Sequence, residues 1–137
     1  MKAKKFLGQV RKLDTMIKNK LVEKEQWKAV AMNTTSKMDG DRVQSSGRKQ
    51  KMAESIEKYI DMEREINKEI DNLVFAKREV IRVIEQLNTT EYDILHKRYI
   101  QGLSLMDIAN NLDRTYSSIT SIHGRALKNV QDILDTK

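Results

Sequence analysis

The sequence predicts an all-α protein, with an N-terminal long-helix hairpin or coiled coil followed by a C-terminal helix-turn-helix bundle. Three observations carry this expectation. Proline is absent and only 5 glycines occur in 137 residues, so long stretches contain no helix breaker. Apolar residues recur three and four apart, and no good β-alternating run is found. Around Tyr99-Ile100-Gln101-Gly102-Leu103-Ser104, a glycine and a capping serine punctuate two short amphipathic stretches.

Taken in order, residues 4–33 read as a first helix. Phe6, Val10, Leu13, Ile17 and Leu21 recur at helical spacing, Trp27 and Ala31 extend the series, and lysines fill most of the other face. Trp27 reads as a packing residue of the hairpin. Residues 34–48 are polar, small and glycine-containing, which predicts a linker. Residues 50–87 read as one long helix. Met52, Ile56, Tyr59, Glu63, Ile66, Ile70, Leu73, Lys77, Val80, Ile84 and Leu87 form a heptad seam broken at Glu63 and Lys77. Such a helix would be roughly 57 Å long at 1.5 Å per residue. It cannot bury its apolar surface alone, so a hairpin with residues 4–33, self-association through residues 50–87, or both are expected. The acidic stripe Glu63, Glu65, Glu69 and Asp71 is expected to be solvated or paired with Arg64 and Lys68. Residues 1–87 are accordingly assigned to partner binding or oligomerisation, and residues 88–137 to a second domain.

That second domain opens with Asn88-Thr89-Thr90-Glu91, a capping residue followed by an acid in the first turn. Helix three is expected over residues 90–101, with Tyr92, Leu95, His96, Tyr99 and Ile100 on its inner face and Gly102 as its stop. Ser104 caps a fourth helix over 104–112, with Asp107 making a near capping box. Asp113-Arg114 makes a turn. The fifth helix starts at Thr115 and runs to about residue 135. Leu105, Leu112, Ile119, Ile122 and Leu127 are expected to cluster with Leu95 and Tyr99. Gly124 sits inside that last helix, where glycine costs about 1 kcal/mol against alanine.

A short helix, a tight polar turn and a second helix docked by one face leave the second helix free to enter a DNA major groove. Tyr116, Ser117, Ser118 and Ser121 are the candidate base contacts, and Arg114, Thr115, Arg125 and Lys128 the candidate phosphate contacts. Leu87, Glu91, Ile94, Leu95, Arg98, Tyr99, Gly102, Leu103, Ser104, Leu105, Asp107, Ile108, Ala109, Leu112, Thr115, Ile119, Ile122, Ala126 and Leu127 together resemble region 4 of bacterial sigma factors. The preceding helices and the short length look more like the sigma-region-4-like late transcription regulators of phages of Gram-positive bacteria. The resemblance implies a phage-encoded, sequence-specific transcription regulator, with double-stranded DNA and bacterial RNA polymerase as partners. A complete sigma factor is not expected, since no aromatic-rich basic helix is present to trap unpaired bases. One departure stands out. Where the family usually carries Arg, Glu and Gln early in the second helix, this chain has Tyr116, Ser117, Ser118, Thr120 and Ser121, whose hydroxyls discriminate bases weakly.

The net charge of +6 and a pI near 9.5 point to a polyanionic partner. Residues 1–50 carry most of the excess, with 13 basic and 5 acidic side chains, while residues 88–137 balance six against six. Lys2, Lys4, Lys5, Arg11, Lys12, Lys18, Lys20, Lys24 and Lys28 therefore have two readings: a phosphate-tracking face, or a solvated one. With no cysteine there is neither thiolate ligand nor cysteine nucleophile. His96 and His123 have no ligand-spaced carboxylates, and no catalytic trio or phosphate loop is found. No enzyme activity, metal or cofactor is expected. No apolar run approaches the roughly 20 residues a bilayer requires, and Arg11-Lys12 interrupt what would otherwise resemble a signal sequence. A cytoplasmic location without membrane association follows. Two other functions fit the same pattern: a phage DNA-packaging subunit of small-terminase type, and a helical interaction protein with no DNA role.

Overall fold

In the computed structural model, which describes residues 1–39 and 46–136, two long helices precede three shorter ones: α1 Ala3–Asp39, α2 Ser46–Ile84, α3 Thr89–Leu95, α4 Leu105–Asn111 and α5 Tyr116–Asp135. The expected linker is shorter than its composition suggested. Residues 34–39 close α1 and residues 46–48 open α2, while 40–45 lie outside the described residues. Thr34, Thr35 and Ser36 are weak helix formers but not breakers, and between Gly8 and Gly40 the sequence offers neither glycine nor proline. No helix among the described residues is long and apolar enough to cross a membrane.

Packing divides the chain into two compact units, one of Met1–Thr15 with Val74–Lys137 and one of Met16–Leu73. The boundary expected at residues 87 and 88 follows the change from long helix to short helices. Burial instead groups the first turns of α1 and the last turns of α2 with the C-terminal helices.

In Met16–Leu73 the two long helices run antiparallel. As position on α1 advances from Lys20 to Lys24 to Trp27, the partner on α2 retreats from Glu69 to Asn67 to Lys58. Ile66 and Ala31 are the buried apolar side chains here. Trp27 is half-buried against α2, with the Lys58 ammonium 5.5 Å from its ring. The heptad break at Glu63 is met by Tyr59, whose phenol is held above its usual pKa by bonding to that carboxylate. Glu69 pairs with Lys20 of the facing helix rather than with Arg64 or Lys68. A side chain can reach across an antiparallel pair as easily as along its own helix, which sequence spacing does not reveal. Leu21, expected on the inner stripe, is exposed.

The other unit has two apolar clusters. Ile94, Ile108, Ala109, Ile119 and Ile122 form one, lined by Leu103, Leu105 and Leu112. Ala3, Leu7, Val10, Val80, Val83, Ile84, Leu95, Ala126 and Val130 form the other, lined by Tyr99, Leu127 and others. The single cluster expected from the sequence is thus split. Ile94 and Leu95 are neighbours on α3 and point to opposite sides of it, so Leu95, Tyr99 and Leu127 join the helices that precede α3. The second heptad break, Lys77, is bonded to Asp14 of α1 at 2.7 Å.

Helix three is expected to run unbroken over residues 90–101. It is α-helical only to Leu95, then widens into a π-turn over His96–Ile100, closed by the Gln101 N–H donating to the His96 carbonyl at 3.0 Å. Gly102 at φ 80° ends it, and the Leu103 N–H reaches back to the Lys97 carbonyl at 2.9 Å, as in a Schellman end.

Candidate nucleic-acid interface

Three short polar side chains fix where the helices of the C-terminal unit begin. The Asn88 carbonyl oxygen accepts from the Glu91 N–H at 2.9 Å, Ser104 Oγ from the Asp107 N–H at 3.1 Å, and Thr115 Oγ1 from the Ser118 N–H at 3.1 Å. Between α4 and α5 the chain turns at Asp113, which takes φ 53°, and the Arg114 N–H donates back to the Ala109 carbonyl at 3.0 Å. Aspartate tolerates the left-handed region better than most residues. The fifth helix therefore starts at Tyr116 with Thr115 as its cap, one residue later than the sequence suggested.

Ile119, Ile122, Ala126 and Val130 bury one side of α5. Its opposite side is open: Ser117, Ser121, Gly124 and Lys128 follow one another at spacings of four, three and four, and all are exposed. From Ser117 to Lys128 this stripe is about 16 Å long at 1.5 Å per residue. Tyr116 and Thr120 flank it on one edge and Arg125 on the other. The structure thus brings seven of the eight sequence-selected residues onto one exposed end and face: Arg114, Thr115, Tyr116, Ser117, Ser121, Arg125 and Lys128. Ser118 is half-buried and lies nearer the packed side. Thr120 Oγ1 donates to the Tyr116 carbonyl at 2.6 Å, which occupies its proton within the helix. Arg114, Arg125 and Lys128 take part in no ion pair among the described residues, so their charge is available to a polyanion. A Cβ built on Gly124 would meet nothing within 4 Å, so the glycine is not required by packing inside the chain.

Several residues hold this face in place without belonging to it, and sequence reasoning missed most of them. Glu91 is buried, and both its carboxylate oxygens accept from Asn129 Nδ2, at 3.0 and 2.9 Å, which ties the start of α3 to α5. A glutamate in a first turn reads as a surface acid, and only the partner 38 residues away reveals it as a brace. Arg98 Nη1 donates to the Leu103 carbonyl at 3.1 Å and secures the loop before α4. Tyr99 Oη lies 3.0 Å from His123 Nε2, with the two rings stacked 5.8 Å apart. Burial, and then the charges of Arg98 and Lys4, push the His123 pKa below its usual value, while burial raises that of Tyr99. A neutral His123 can accept the phenol proton at Nε2, which links the π-turn to the middle of α5. No group of three or more His, Cys, Asp or Glu among the described residues could hold a metal ion.

Residues 83–132 match the family model of sigma-70 region 4. The match takes in the end of α2, the π-turn, α4 and most of α5. The comparisons with curated proteins and with solved structures give no match. This part of the chain is a sigma-70 region 4-like helix-turn-helix, a DNA-binding type of domain and not an enzyme fold.

Proposed function

We propose that the protein is a sequence-specific DNA-binding regulator of transcription that acts with bacterial RNA polymerase at promoter-like DNA, in the cytoplasm of a bacterium and encoded by a phage. The observation that carries the reading is the open stripe of α5, propped by α4 and α3 and edged by unpaired cations, within a stretch matching sigma-70 region 4. Tyr116, Ser117 and Ser121 face the base edges in this arrangement, with Ser118 at the margin. Arg114, Thr115, Arg125 and Lys128 hold phosphates on either side, and the open N-terminal turn of α5 favours an anion there as well. Hydroxyl contacts separate bases weakly, so recognition leans on DNA shape and on the polymerase for its selectivity.

We further propose that residues 50–87 pair with a second copy of the chain, supported by the exposed Ile56 and Ile60 on α2. An electrophoretic shift on promoter-containing DNA tests the central reading. The unaltered chain retards the duplex and the Arg114→Ala/Arg125→Ala variant binds at least about tenfold more weakly, since each lost phosphate contact lowers affinity. Equal retardation by the two proteins refutes the placement of α5 in the groove.

A further inference from the structure

Building on that DNA-binding reading, we propose that the outward face of the first turns of α1, formed by Lys4, Lys5, Arg11 and Lys12 around Gly8, is a second DNA contact that grips the phosphate backbone beside the groove entered by α5. Four observations meet on this face.

The first is attachment. Residues 1–15 belong to the same compact unit as the helix-turn-helix. Ala3, Leu7 and Val10 share a buried cluster with Ala126 and Val130 of α5. The Ala3 N–H donates to Gln131 Oε1 at 2.8 Å, and Gln131 Nε2 donates to the Met1 carbonyl at 3.2 Å. Whatever α5 binds, this face is carried with it.

The second is uncompensated charge. Residues 1–15 contain Lys2, Lys4, Lys5, Arg11 and Lys12 against a single acid, Asp14, and that carboxylate is bonded to Lys77. The five cations are exposed, and none is in an ion pair among the described residues. Residues 88–137 balance their charges, so the unit's positive excess resides almost entirely on α1. Phosphate neutralisation supplies most sequence-independent affinity, and the helix-turn-helix by itself has little charge to spare for it.

The third is spacing. Lys4 and Arg11 are seven residues apart, as are Lys5 and Lys12, so two parallel cation pairs each span about 10 Å of helix. Gly8 lies between them, and a Cβ there would meet nothing within 4 Å. A helix interior favours alanine over glycine, and no contact within the chain explains this one. The missing side chain leaves a bare notch in which a phosphate can approach the backbone between four cations.

The fourth is direction. The Lys4 ammonium lies near enough to His123, midway along α5, to disfavour its protonation, as does Arg98. The charge of α1 is therefore exerted alongside the recognition helix.

The test measures binding of the full chain to a mixed-sequence synthetic duplex several helical turns long, across a salt series. One variant is Lys4→Gln/Lys5→Gln/Arg11→Gln/Lys12→Gln. The control, Lys18→Gln/Lys28→Gln/Lys49→Gln/Lys51→Gln, removes the same net charge from exposed positions in Met16–Leu73. On the proposal, the slope of log affinity against log salt becomes shallower by about 2 to 4 in the first variant, near 0.9 for each phosphate released, and hardly changes in the control. Should the fourfold variant fail to melt cooperatively, Lys5→Gln/Lys12→Gln alone is expected to flatten the slope by about 2. An unchanged slope, or an equal loss in the control, overturns the proposal. If Arg114→Ala/Arg125→Ala weakens binding while the α1 variant binds normally, the groove reading stands and this one falls. If the unaltered chain binds no duplex, both fall.

Discussion

The unit of Met1–Thr15 and Val74–Lys137 holds all eight of the largest fully buried side chains, from Leu7 and Val10 to Ile119 and Val130. Met16–Leu73, with two long helices to itself, buries only Ile66 and Ala31 among its described apolar residues and leaves Leu21, Val22, Val30, Ile56 and Ile60 in solvent. The first unit joins its helices through clusters that draw on several elements. The second joins two helices along one seam, with polar links such as Lys24 to Asn67 at 3.1 Å doing much of the alignment. The difference follows from what each must present. A recognition face needs donors held in fixed positions, and only a packed support does that. A helix pair with apolar residues on its outer sides completes its burial only against another surface.

The comparison is broken most directly through Leu7. It is fully buried in the cluster shared with α5, so Leu7→Ala is expected to cost about 3 kcal/mol, within the range for emptied core positions. Urea unfolding of the full chain measures it, and Ile119→Ala should cost a similar amount. A Leu7→Ala loss no larger than that of a surface substitution would mean that the start of α1 does not belong to the helix-turn-helix unit.

Next in size is the brace at Glu91. Asn129→Ala leaves a buried carboxylate without the donor that both its oxygens use, and a cost of about 2 kcal/mol is expected. Adding Glu91→Gln to that variant should recover part of the loss, because the group left behind is then neutral. No recovery in the double variant would point to a role for Asn129 other than meeting the charge.

Thr115→Ala removes the cap on the Ser118 N–H and should destabilise the unit by about 1 kcal/mol, while Thr115→Ser restores most of it. DNA binding should fall by more than stability alone explains, if the same residue also touches phosphate.

Acid separates the two units more finely. In the folded unit His123 resists protonation, whereas in the unfolded chain it titrates near the usual 6.5. The unfolded state therefore takes up a proton first. The contribution of His123 to stability is complete above 6.5, declines as pH drops below it, and levels off once the folded histidine also protonates. His123→Gln should flatten this part of the profile for the helix-turn-helix unit. Met16–Leu73 contains no histidine and should not share it.

The smallest expected effect is at Ile60. It is largely exposed, so Ile60→Ser should change the stability of a single chain by no more than about 0.5 kcal/mol. If α2 pairs with a second copy, the same substitution lowers the mass seen by light scattering. A ring-sized particle would instead favour the DNA-packaging reading.

Most of the short-range features of the C-terminal unit could be read from the chain directly. Gly102 at a helix stop, Ser104 and Thr115 as caps, the Asp113-Arg114 turn and the exposed run from Tyr116 to Arg125 all depend on residues a few positions apart. Hydrogen bonds over three or four residues and a 3.6-residue period are fixed locally, and residue type is enough to recognise them. The π-turn escaped because its sequence, His96 to Ile100, satisfies an ordinary helix equally well. The register of α1 escaped because Ala3, Leu7 and Val10 compete with Phe6, Val10 and Leu13 for the inner side, and only the surface opposite decides between them.

What the sequence determined by itself is therefore the set of helices, their caps and the polar face of α5. What the tertiary structure decided is which helix supports which: that the first turns of α1 close over α5 through a bond between Ala3 and Gln131, 128 residues apart, and that Glu91 is buried against Asn129. Burial depends on the neighbour across the core, and its distance along the chain leaves no periodic trace. By that same packing, a run of lysines at the N-terminus, ambiguous when read alone, becomes part of the unit that carries the recognition helix.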